Sequence, residues 1–157
     1  MIKVVVVEDN NSIREGLKIL IDGTEDYSCI ASFSECETML KNIKKLNPAV
    51  YTMSDVDKLG IHRIISRVLK HFKERIDHIH VSFDVDSIDP NFAPGVGTPV
   101  PGGLNYREAH LLMESIAECG CMSSLEVAEV NPILDIHNNS ALLAADLIAS
   151  SMGQRIL

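Results

Sequence analysis

Five short runs rich in β-branched residues alternate along this chain with segments whose apolar residues recur every three to four positions. The runs are residues 2–7 (IKVVVV), 27–33 (YSCIASF), 49–53 (AVYTM), 78–85 (HIHVSFDV) and 122–131 (MSSLEVAEVN). Helical spacing follows each of them, over 12–21, 34–46, 54–76, 106–120 and 140–153. No hairpin signal joins one run to the next, so the chain must return by crossovers, which make neighbouring strands parallel and lay helices on the sheet. The pattern therefore predicts an α/β fold: a five-stranded parallel sheet with helices on both faces, a flavodoxin-like (βα)5 arrangement with strand order 2-1-3-4-5. Ser34 with Glu37, and Ser54 with Asp57, have the spacing of helix starts, and Gly120 and Gly153 stand where helices should stop.

The 157 residues, 46% of them hydrophobic, suit one domain over 1–157 with an apolar core. The net charge of −8 leaves no basic patch for nucleic acid or anionic lipid, and both are disfavoured as partners. No apolar run nears the ~20 residues that span a bilayer, and the opening MIKVVVVEDN turns acidic too soon for a secretion signal. A cytoplasmic location is expected. Cys29, Cys36, Cys119 and Cys121 lack zinc spacing, and Cys119 and Cys121 stand too close for an unstrained bridge, so all four read as reduced structural thiols.

In open parallel sheets, ligands collect beyond the carboxyl ends of the strands. Acidic residues gather at those positions: Glu8 and Asp9 after the first run, Asp55 and Asp57 after the third, Asp84 and Asp86 at the fourth, Glu129 at the fifth. Such a set repels itself unless a cation or a basic group intervenes. Asp84 and Asp86 share strand parity, so their carboxylates would point one way and could hold a hard divalent cation. The bland alternative is that these aspartates organise the loop around Pro90 and Gly95 by accepting from backbone amides; Asp89 is expected to brace that loop. His78 and His80 alternate as buried strand residues do, while His62, His71 and His110 fall on helices, His110 nearest the glycine loop. Gly95, Gly97, Gly102 and Gly103 lack the lysine and spacing of a phosphate loop.

From 51 to 157 the chain closely resembles the C-terminal part of bacterial arginases, in the ureohydrolase family, through YTMSDVDKLGIHR, HVSFDVDSIDPNFAPGVGTPVPGGLNYREAH and EVAEVNPILD. The resemblance implies that Asp84 and Asp86 correspond to aspartates of a binuclear manganese centre, and Glu129 to the glutamate that receives a substrate guanidinium. The family's further ligands, a histidine and an Asp-x-His-x-Asp motif, have no counterpart here; DIHNN at 135–139 lies in the wrong element.

Residues 1–50 resemble instead the start of a response-regulator receiver domain. Glu8 and Asp9 would then correspond to its magnesium-binding acids, beside a phosphoacceptor aspartate. The count from Pro48 lands on Ser54, one residue before Asp55, and no lysine follows Lys73 to neutralise a phosphoryl group.

Taken together, these features are read as a chimera of the two families. Such a chain would have two incomplete active sites, no efficient turnover and weak binding of manganese or magnesium at Asp84 and Asp86, with Asp9 or Asp55 completing the site. The alternatives are a remnant manganese-dependent ureohydrolase and a receiver-like phosphoacceptor module. A sheet assembled from two families is also expected to leave an unpaired edge through which copies associate.

Overall fold

The computed structural model describes residues 1–42 and 49–156. The chain divides into two compact units, Met1–Val50 and Tyr51–Leu157. In the first, β1 (Ile2–Val7) and β2 (Tyr27–Phe33) pair in parallel, from Ile2 opposite Tyr27 to Val7 opposite Phe33. Helix α1 (Asn11–Asp22) makes the crossover, started by Asn10, whose side-chain oxygen accepts from the backbone N–H groups of Ser12 (3.0 Å) and Ile13 (3.2 Å). A short α2 (Cys36–Asn42) follows β2. The helix expected over 34–46 begins here; its remainder, the Glu37 side chain and Pro48 lie outside the described residues.

The second unit holds the larger core. Here β3 (Ile79–Asp84) and β4 (Met122–Ala128) pair in parallel, with Ile79 opposite Met122 and Asp84 opposite Ala128. Helix α5 (Tyr106–Cys119) connects them, and α6 (Asn139–Ser151) follows β4. Phe83 from β3 meets Ala109, Met113 and Ile116 of α5 and Leu143, Ala144 and Leu147 of α6 in one buried cluster. The loop residues Val85, Ile88, Ala93 and Val96 join it, so the long connection after β3 is part of the core. A capping box starts α5: Asn105 accepts from the Glu108 N–H at 2.9 Å while the Glu108 carboxylate accepts from the Asn105 N–H at 2.9 Å.

Among the described residues there are two separate two-stranded parallel sheets, and the expected five-stranded flavodoxin-like sheet in order 2-1-3-4-5 is not present. The parallel α/β character holds. The missing strand is the run at 49–53: residues 49–52 form no strand, and Met53 already opens α3 (Met53–Leu59). Thr52 is the cause. Its N–H and its hydroxyl both donate to the Asp55 carboxylate, at 2.8 and 2.7 Å, which commits the chain to a helix start two residues before the expected Ser54. The single helix expected over 54–76 is likewise two, α3 and α4 (Ile61–Lys73), because Gly60 takes φ +77°, outside the helical region and readily open only to glycine. No described helix is long and apolar enough to cross a membrane.

Two further expectations are corrected, and the setting of His110 is defined. His78 and His80 are exposed, and it is Ile79 between them that is buried, so the parity of that strand is the reverse of the one read from the histidines. Cys119 and Cys121 are joined by a disulfide. Gly120 between them adopts the left-handed conformation, φ +69°, that ends α5 and turns the chain back, holding the two Cα atoms 5.5 Å apart. His110, expected near the glycine loop, is fully buried; its Nδ1 lies 2.9 Å from the Ser150 hydroxyl of α6, and its ring stacks obliquely on Tyr106.

Burial pushes the His110 imidazole below its ordinary value, against the pull of Asp146 and Glu114 in the opposite direction. The unfolded chain, with an ordinary imidazole near 6.5, then binds a proton that the native state refuses, so stability is full above about pH 6.5 and is lost as pH falls through the folded value. Urea unfolding at pH 7.5 and 5.5 should show this loss in the parent. His110→Gln should be less stable at pH 7.5 yet lose less between the two values; an equal loss in both proteins would remove His110 as the cause.

Candidate functional site

Strand β3 ends at Asp84, and a 3-10 turn, Val85–Ser87, follows at once. Asp86 therefore sits in the turn rather than on the strand, and shared strand parity does not bring the two carboxylates together. Asp84 Oδ1 instead accepts from the Asp86 N–H at 2.8 Å, which caps the turn. The Ser87 hydroxyl donates to the Asp84 carbonyl at 2.6 Å and closes it.

Asp86 uses its two oxygens differently. Oδ2 accepts from the Thr98 hydroxyl, while Oδ1 is buried and has no hydrogen-bond partner among the described residues. A buried carboxylate oxygen without a donor is costly, and a bound cation is one way to offset the cost. Asp86 also forms one wall of an apolar cavity of about 640 Å³, whose other walls include Tyr51, Met53, Val56, Ile64 and Leu104.

The segment 95–98 joins this carboxylate to the end of β4. Val96 pairs antiparallel with Val130, and the Asn131 N–H donates to the Gly95 carbonyl at 2.8 Å. The Gly95 N–H donates to the buried Ser140 hydroxyl at 2.6 Å. Gly95 lies so close to Asp135 that a Cβ there would overlap that side chain. At Gly97 a Cβ would stand 3.6 Å from Glu129 Oε2, so the Glu129 carboxylate lies beside this segment. Glu129 itself has φ +68°, a left-handed conformation uncommon for a glutamate, immediately after β4 ends. Thr98 thus touches Asp86 one residue from the glycine that flanks Glu129.

Asp89 and Asp135 organise backbone. Asp89 accepts from the Asn91 N–H (2.9 Å), the Asn91 side chain (2.7 Å) and the Gly102 N–H (2.8 Å), and the two backbone bonds hold its carboxyl below its ordinary range. It braces the loop as expected. Asp135 of DIHNN accepts from the N–H groups of Ile136, Ser140 and Ala141 at 2.9, 3.0 and 3.1 Å. Burial raises its pKa, and these bonds outweigh it and hold the carboxyl low. It starts α6 and is committed there.

Asp55, expected to complete a metal site or accept a phosphoryl group, is occupied by Thr52, whose backbone and hydroxyl bonds lower its pKa. Glu8 and Asp9 belong to the other unit. There the Glu8 carboxylate accepts from the Asn10 N–H at 3.0 Å, and the Arg14 guanidinium reaches the Glu8 carbonyl at 2.6 Å. A cation already stands beside these acids, which works against a divalent ion there.

Among the described residues no three His, Cys, Asp or Glu side chains converge as a metal-holding group. The donor chemistry still suits one hard cation, since Asp84 and Asp86 lie two residues apart around the turn and Asp86 Oδ1 has no partner among the described residues. Two carboxylates do not complete a two-ion centre. Sequence reasoning missed Thr98 and Ser140; the only hint is that Thr98 lies in the GVGTP run, where glycines let a loop pass close to other groups.

Known proteins support the arginase resemblance. The Arginase family model matches residues 17–153 and so runs across the junction expected near 48–54. The arginase of Bacillus caldovelox is 47% identical over 117 residues, covering 74% of this chain and 39% of that protein. The arginase of Bacillus subtilis is 43% identical over 133 residues, covering 85% and 45%. A crystal structure of arginase from Bacillus subtilis subsp. subtilis str. 168 superposes with a TM-score of 0.76 at 31% identity, covering 99% of this chain and 63% of that one. The chain thus spans about two-fifths of the length of these curated relatives. Nothing in the comparisons supports a receiver domain or a chimera; the apparent receiver start is a short β-branched strand, two acids and a helix, a pattern common to parallel α/β proteins. The chain belongs to the arginase family.

Proposed function

We propose that this chain carries part of a manganese-dependent ureohydrolase centre, in which Asp84 and Asp86 hold the metal and Glu129 receives the guanidinium of an arginine-like substrate. The observation that carries this reading is segment 95–98, which touches the Asp86 carboxylate at Thr98 and flanks the Glu129 carboxylate at Gly97. One short piece of backbone thereby fixes a metal-type carboxylate and a cation-type carboxylate relative to each other. Family membership gives the chemistry its class.

Manganese, when bound, would supply Lewis-acid polarisation and lower the pKa of a bound water. The protein's own contribution is positional. The turn sets two carboxylates two residues apart, on either side of Val85. Thr98 fixes the orientation of Asp86 by occupying Oδ2, which leaves Oδ1 for the ion. Glu129, exposed at the end of β4, offers a planar carboxylate suited to a guanidinium. Efficient turnover needs ligands beyond these two aspartates, so urea release from arginine by this chain alone should fall far below ~1 per second, a low ordinary enzyme rate.

Two measurements test the reading. Manganese at about ten times its dissociation constant should stabilise the fold by about 1.4 kcal/mol, which raises the melting temperature by roughly 3–6 °C in a chain of this size. Asp84→Asn with Asp86→Asn should abolish that rise; equal rises in both proteins would mean that the aspartates only organise their turn. In manganese, arginine binding measured by calorimetry should weaken about tenfold or more in Glu129→Gln, the loss of a charge-assisted bond. Unchanged affinity would remove Glu129 from the substrate site and leave the metal result standing.

A further inference from the structure

The Cys119–Cys121 bridge has no part in the carboxylate site. It closes over a single residue, Gly120, and so short a loop removes little entropy from the unfolded chain, which makes the bridge a minor brace of the fold. Both cysteines are half-buried and not enclosed. A Cβ built on Gly120 would meet no atom within 4 Å, so the bend that carries the bridge stands open. A disulfide that braces little and is open to solvent is one that thiols can reach and exchange with.

Cys119 also lines a cavity of about 510 Å³ between α4 and the end of α5, within the ~300–1,000 Å³ of small-molecule sites. Cys121 is not among its walls. The charged groups there are Lys70 and Lys73 of α4, Glu74 just past the end of α4, and Glu118 beside the cysteine. Glu118 is paired with Arg155 at 2.6 Å. A molecule entering the cavity therefore meets two lysines and one further carboxylate, a cationic setting in a chain of net charge −8.

We propose that Cys119–Cys121 is a thiol–disulfide exchange site whose partner is a small peptide thiol bearing two carboxylates and one ammonium, held in this cavity by Lys70, Lys73 and Glu74. The partner's thiolate attacks Cys119 Sγ, the bridge breaks, and Cys121 leaves as a thiolate that takes up a proton from water. The product is a mixed disulfide at Cys119. A second partner thiolate attacks the outer sulfur of that mixed disulfide and expels Cys119 as a thiolate, which is protonated in turn. In sum, two small thiols give up two electrons and two protons and become a disulfide, and the bridge gains them and becomes two thiols. The order of attack follows from the fold. Cys119 is the last residue of α5, where the negative end of the helix dipole disfavours a thiolate, whereas Cys121 lies beyond the helix and leads into β4, so Cys121 is the better first leaving group. In the second step the lysines offset the dipole at Cys119.

Exchange kinetics of the oxidised 157-residue chain test this, with Cys29 and Cys36 blocked by iodoacetamide and with chelator present so that the outcome is independent of the metal reading. Reduced glutathione is the probe, and loss of the bridge is followed by acid quenching, alkylation and intact mass. Lys70→Ala with Lys73→Ala should slow the reaction with glutathione about fivefold, the loss of two partly exposed charge contacts, while the uncharged 2-mercaptoethanol reacts at a rate unchanged within about twofold. Arg63→Ala with Arg67→Ala removes the same charge from the same helix but outside the cavity, and should leave the glutathione rate unchanged within about twofold. Equal slowing in the two double variants would reduce the effect to net charge and overturn the cavity as a site. Equal slowing with both thiols would mean that the lysines shape the bridge and do not hold its partner, which also overturns the proposal. So would uptake of iodoacetamide by Cys119 and Cys121 in the air-oxidised chain without reductant.

Discussion

The absence of a side chain at Gly95 is the constraint on which the site depends. Backbone passes Asp135 at a distance that leaves no room for a Cβ, and that approach lets the Gly95 N–H reach the buried Ser140 hydroxyl while its carbonyl accepts from Asn131. The segment is thereby held on two elements at once, α6 through Ser140 and the end of β4 through Asn131. Thr98 follows three residues later and meets Asp86. Asp135 serves both ends of this arrangement: it packs on Gly95 and starts α6 by accepting from three backbone N–H groups. A larger residue at Gly95 would move the segment, and with it the only described side chain that orients Asp86.

The same economy explains why a chain of net charge −8 tolerates so many acids near strand ends. Most of them are satisfied locally. Asp55, Asp89 and Asp135 each accept from nearby backbone N–H groups, and each is held below its ordinary range. Asp86 is the exception, since one oxygen is buried without a donor. The distinction between loop-organising and ligand-type aspartates is therefore made by hydrogen-bond satisfaction, not by acidity or proximity in sequence.

That distinction marks the limit of what the sequence could disclose. The parallel α/β character followed from the alternation of periods, and α5 and α6 lie where the helical spacing placed them. The five-stranded sheet did not follow, because AVYTM has the composition of a strand while Thr52 and Asp55 make a helix start, and a two-residue capping contact outweighs a weak propensity. The Asp84–Asp86 pair was legible from the run itself, but its geometry was not: the strand ends between the two residues, and a turn rather than shared strand parity sets where Asp86 stands. Thr98, twelve residues after Asp86, is invisible to any local pattern. The receiver resemblance finds no support among known proteins, and it rests on a short β-branched run, two acids and a helix, which recur wherever parallel sheets occur.

The account reduces to a claim about one oxygen atom: Asp86 Oδ1 lacks a donor because it is a cation ligand. Crystals soaked in manganese and measured at its absorption edge test this directly. An anomalous peak within about 2.0–2.6 Å of carboxylate oxygens from both Asp84 and Asp86 is the predicted result, the span of hard divalent-cation distances. No peak there, with Asp86 Oδ1 instead accepting from a protein group or an ordered water, would contradict it.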